Sequence, residues 1–185
     1  LAKSIQDAST SIYHGRLLMM QVDIPKVLFP LEIFLRDSFK HFFVMALLLI
    51  FLVVYQNSLS LTWISLPLIM ITYGTLILAS GILAASIVPF MPDLHFIITT
   101  AIQLLFFGSA IFYKVEDAIL PEHLNLVYLN PVAGILKAYR DVLIDSTWPD
   151  WIYLLKIFFL SLLMLGVAIR ILFKFDHLYP RVCRQ

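Results

Sequence analysis

Residues 42–92 contain no Asp, Glu, Lys, Arg or His, and an uncharged helix of about fifty residues, rising 1.5 Å at each, would be roughly twice as long as a bilayer core is thick. Such a run must cross a membrane twice. The place to fold back is marked by Gln56, Asn57, Ser58 and Ser60, with the interfacial aromatics Tyr55 and Trp63 on either side. The expected fold class is therefore all-α and polytopic. Composition agrees, since 61% of residues are hydrophobic and 14% charged, against about a quarter charged in soluble domains. A single transmembrane domain over 1–185 is expected, with no separate soluble domain. The chain opens on Leu1 and lacks a signal-peptide pattern, which reads as a piece of a longer polypeptide with spans upstream.

Segments 94–113 and 151–173 are also long and apolar enough to span. With 38–55 and 63–88 they make four predicted transmembrane helices, an even number that places both termini on one side. Lys3, Arg16, Lys26, Arg36 and Lys40 precede the first span, and Arg170, Lys174, Arg181 and Arg184 close the last, so the positive-inside rule makes that side cytoplasmic. Residues 1–37 are then a cytoplasmic segment, 114–150 an outer segment and 174–185 a cytoplasmic tail.

Residues 4–29 mix Ile12, Leu17, Leu18, Met19 and Met20 with Asp7, His14, Arg16 and Asp23. They read as too polar to cross, and Pro25 and Pro30 are expected to break the helix before the membrane, leaving a short amphipathic element. It either anchors passively at the interface or docks a cytoplasmic partner. The outer segment is too long for a passive connector. Asn130 suits an N-cap and Pro131 the first helical position, after which Val132, Ile135, Leu136, Tyr139 and Leu143 share one face. That predicts an interfacial or re-entrant helix with Lys137, Arg140 and Asp141 on its polar side.

Tyr55, Trp63, Tyr113, Trp148, Trp151 and Tyr153 fall at the outer ends of spans, as an aromatic belt or a sugar-stacking surface. Gly81 and Ala85 have small-xxx-small spacing, suited to close helix approach within a subunit or between two. Lys156 is the one charge well inside an outer half-span; it either snorkels outward or lines a polar conduit. No phosphate loop, nucleophile elbow or H-E-x-x-H metal pair occurs, and the five histidines are scattered, so neither catalytic residues nor a metal or cofactor site is expected on this chain. The net charge of +1 argues against a nucleic-acid partner, and the single Cys183 reads as structurally neutral.

Residues 11–30, ending V-D-I-P-K-V-L-F-P, resemble the cytoplasmic segment of ABC-2 type polysaccharide exporter permeases, which ends in an fP-x-x-x-lP pattern. The order that follows is similar too: Asp93 and Leu94 where the family has R-D-l, F-G-S-A-I-F-Y at 107–113 where it has f-x-S-P-I-x-Y, then Pro121, Asn130 with Pro131, and Tyr139 with Arg140. Pro92 replaces the family's Arg, Ala110 its Pro, and Gln21 and Ile24 stand where Lys and Phe are common.

The resemblance implies the third to sixth spans of a six-helix permease in a bacterial inner membrane. It would be a homodimer with two ATPase subunits that hold ATP and Mg, exporting a lipid-linked polysaccharide such as O-antigen, capsule or a teichoic acid precursor. It implies an ATPase-coupling role for Ile12, Tyr13, His14, Arg16 and Leu17. Gate or conduit candidates are Tyr73, Phe106, Tyr113, Asn130, Pro131, Tyr139, Arg140 and Lys156. Two other readings stand beside it: an ABC-2 permease for a drug or small lipid, and an integral-membrane enzyme acting on a lipid phosphate at Glu116, Asp117 and Asp141.

Overall fold

The computed structural model describes residues 2–22, 24–56, 60–109 and 127–182. Every regular element among them is helical: α1 (Ala2–His14), α2 (Arg16–Gln21), α3 (Leu28–Gln56), α4 (Leu66–Ile87), α5 (Leu94–Phe107), α6 (Pro131–Leu143), α7 (Trp151–Lys174) and α8 (Tyr179–Val182), with 3₁₀ turns at Leu61–Ser65 and Val88–Phe90. Among the described residues α3, α7 and the continuous stretch Leu61–Phe90 are long and apolar enough to cross a membrane. The protein is an all-α, polytopic membrane protein. α5 has 14 residues, about 21 Å of helix and short of the roughly 30 Å core; the rest of the expected 94–113 segment, beyond Ser109, lies outside the described residues.

Pro25 sits in the break before α3, but Pro30 does not break anything. It falls in the first turn of the 29-residue α3, where no intrahelical partner awaits its missing N–H. The helix consequently starts ten residues before the expected span and carries Glu32, Arg36, Asp37 and Lys40 on its first turns. Asp37 lies 3.3 Å from Lys40 and 3.5 Å from Arg36, and Arg36 reaches Asp7 of α1 at 3.2 Å.

α4 is the most buried of the long helices; it packs along α7 and also touches α1, α3, α5 and α6. One core joins Met45, Leu66, Ile69, Ile135, Val142 and Leu154 at the α6 end of the bundle. A second joins Ile12, Met19, Ile82, Ala85, Leu172 and Tyr179 at the opposite end. Between them Ile5, Ile77, Ala84 and Ile102 meet. By contrast Phe39, Phe42, Phe43, Leu47, Ile50, Phe51 and Val54 of α3 are exposed, an apolar face far larger than a water-soluble surface tolerates and suited to lipid.

The first segment is amphipathic, as expected, and its apolar and small-residue face is packed against the bundle. α1 packs one face into the bundle, with Ser4, Ile5, Ala8, Ser9, Ser11 and Ile12 buried, and Ala8 comes so close to α4 that a Cβ on Gly81 would lie 3.1 Å from its own. Its polarity misleads because the hydroxyls bond inward. Ser9 Oγ donates to the Gln6 carbonyl at 2.6 Å and lies 2.9 Å from His95 Nδ1, while Ser11 Oγ donates to the Ala8 carbonyl at 2.7 Å, so little hydrogen-bonding capacity is left to demand water.

Candidate functional site

Two places gather the residues singled out by sequence. The first is the elbow between α1 and α2. Gly15 interrupts the helix, and the Phe29 ring fills the space its absent side chain would need; any Cβ there would overlap that ring. Past the elbow the chain presents an amphipathic surface. Leu17 is 67% exposed, Tyr13, Leu18 and Val22 are exposed as well, and the Arg16 guanidinium lies 5.5 Å from the Tyr13 ring centroid, a cation–π contact. His14 is exposed and meets the Tyr13 ring edge-on at 6.4 Å.

Of the five coupling candidates, Ile12 is the exception. It is fully buried among Ile82, Ala85, Ala168 and Leu172, so no partner surface can touch it; it roots the elbow in α4 and α7. Leu18 and Val22, which sequence reading did not select, extend the exposed surface.

The second place is a cavity of about 560 Å³ between α1, α3, α4, α5 and α6. Tyr73, Phe106 and Tyr139 all line it, together with His41, Lys3 and Leu136. Tyr73 stands 5.3 Å from the His41 ring and meets Tyr139 edge-on at 6.4 Å, so three helices contribute one aromatic wall. His41 Nε2 and the Tyr139 hydroxyl are buried with no hydrogen-bond partner among the described residues. Burial pushes the Tyr139 phenol well above its ordinary value, so it stays neutral. The remaining lining is mostly apolar.

Asn130 and Pro131 act beside the cavity rather than in its wall. Asn130 Oδ1 accepts from the Val132 N–H at 3.0 Å and caps α6, while its Nδ2 donates to Ser109 Oγ at 3.0 Å and to the Leu105 carbonyl at 3.4 Å. One side chain thereby ties the start of α6 to the end of α5. α6 is held on α7 by Tyr153, whose hydroxyl donates to the Tyr128 carbonyl at 2.7 Å and whose ring occupies the place of a Gly134 side chain. Arg140 is half-buried on α6, and its carbonyl accepts from Ile144 and Asp145 at 2.8 and 3.1 Å, ending the helix. Lys156 is exposed on α7, away from the cavity. Tyr113, Glu116 and Asp117 lie outside the described residues. Among the described residues no three His, Cys, Asp or Glu side chains converge to hold a metal.

No protein-family profile matches the chain. Over 183 residues, covering 98% of this chain and 70% of the relative, it is 21% identical to the O-antigen export system permease protein RfbA of Klebsiella pneumoniae. This chain is similar to an export permease. The likeness takes in both the elbow and the cavity of this permease-like chain, and it accords with a multi-pass bundle whose apolar faces look outward.

Proposed function

We propose that this protein is the membrane-spanning permease subunit of an ATP-driven ABC exporter that moves a lipid-linked polysaccharide across a bacterial inner membrane. It works as a homodimer with two ATPase subunits, which bind and hydrolyse ATP with Mg, and both ends of the chain are cytoplasmic. The observation that carries this reading is the likeness, over 98% of this chain and 70% of the relative, to an O-antigen export permease, joined to an elbow that exposes Tyr13, His14, Arg16 and Leu17 while its root is buried.

In mechanism, ATP-driven closure of the partners presses on α2; the buried root at Ile12 passes the movement to α4 and α7, and rigid-body shifts of these helices open a path. Tyr73, Phe106 and Tyr139 offer aromatic faces to a sugar along that path. The mostly apolar cavity also favours a second reading, export of a drug or small lipid by the same kind of permease. Deleting the gene in its host tests both. Polysaccharide accumulating on its lipid carrier at the inner face, with none at the surface, is the expected result; unchanged surface polysaccharide with altered drug sensitivity or lipid distribution favours the second reading.

A further inference from the structure

The turn between α2 and α3 is fastened to the far end of the chain. Lys26 is only 7% exposed, and its Nζ lies 3.3 Å from Asp176 Oδ2, a pair separated by 150 positions. Three residues on, Tyr179 is fully buried and donates its hydroxyl to the Ser86 carbonyl, in the last turn of α4, at 2.9 Å. The Phe90 ring lies 5.2 Å from Tyr179 and 5.6 Å from Phe175, and Met19 of α2 packs into the same core as Ala85 and Leu172. An ammonium is seldom buried so deeply without a partner, and helix ends alone do not require one.

We propose that residues 175–182 form a transmission clamp, with Lys26, Asp176 and Tyr179 as positioning residues for the coupling step. The non-helical residues 24–27 ahead of α3 would otherwise absorb any displacement of the elbow. The Lys26–Asp176 pair fixes that link to the end of α7, and the Tyr179–Ser86 bond fixes α8 to the end of α4. A push on α2 then moves α4 and α7 as one body, and through Tyr73 of α4 it reaches the cavity wall. This inference rests on the proposed ATP-driven permease; the clamp itself is a structural statement that stands or falls separately.

The test uses the complete transporter purified with its ATPase. Lys26→Asp, Asp176→Lys, their charge-swapped double variant and Tyr179→Phe are compared for assembly, ATP hydrolysis and export. Single variants are expected to assemble and hydrolyse ATP but to export about fivefold less per ATP or worse, and the swap to restore the ratio. Unchanged export per ATP in the singles, or a swap no better than either, overturns the clamp.

Hydrogen exchange on Asp176→Asn supplies a second reading that needs neither ATPase nor a severe substitution. Faster exchange in both α2 and residues 175–182 supports the clamp, and a change confined to 175–182 overturns it. A wild-type protein that carries no ATPase defeats the proposed function, while exchange still decides the clamp.

Discussion

Asn130 shows how one residue can join two elements. Its carbonyl oxygen caps α6 and its amide nitrogen holds Ser109 and Leu105. Asn130→Asp keeps the cap and loses both donations, whereas Asn130→Ala loses everything; the alanine variant should be the less stable by about 1 kcal/mol, measured by thermal unfolding in detergent. Equal melting temperatures for the two would contradict the cap. Gly134→Ala drives a methyl into the Tyr153 ring and should cost about 1–3 kcal/mol by overpacking. Adding Tyr153→Ala should recover part of that loss, because the two positions share one space. Asn130 and Pro131 were legible in sequence because capping chemistry is local. The Ser109 tether was not, since nothing in a single sequence pairs residues 21 apart. Lys26 and Asp176 were hidden for the same reason, at far greater separation.

At the scale of elements, the long apolar helices were readable because uncharged length leaves few alternatives to spanning. α1 was not. Its serines and threonines look solvated in a sequence, yet they bond the carbonyls of their own helix and let it sit against α3, α4 and α5. Pro30 reads as a breaker in the sequence yet stands in the first turn of α3, because a proline's effect depends on whether it lies inside a helix or in its first turn, a distinction only the boundary settles. The elbow that α1 supports carries its own prediction. Arg16→Glu with Leu17→Asp alters exposed side chains alone, so stability should move by no more than about 0.5 kcal/mol, while association with the ATPase is lost. Unfolding that accompanies the loss would remove the elbow as the docking surface.

For the molecule as a whole, the exposed apolar face of α3 and the burial of α4 describe a bundle that expects lipid around it. The orientation proposed for it, with both ends cytoplasmic, rests on the Lys and Arg flanking the first and last spans. Cys183, the single cysteine, should react with a membrane-impermeant maleimide only in inside-out vesicles. Leu129→Cys in a Cys183→Ser background should react only from the outer face of intact spheroplasts, and the reverse pattern would invert the topology. In the proposed function this chain is the passive half of an ATP-driven machine. Purifying the protein from its native membrane in mild detergent and identifying what accompanies it, with ATP hydrolysis measured on the same sample, decides whether it is. A P-loop ATPase at one copy per permease, hydrolysing ATP, is the predicted result; a protein recovered alone and inert in repeated preparations would contradict it.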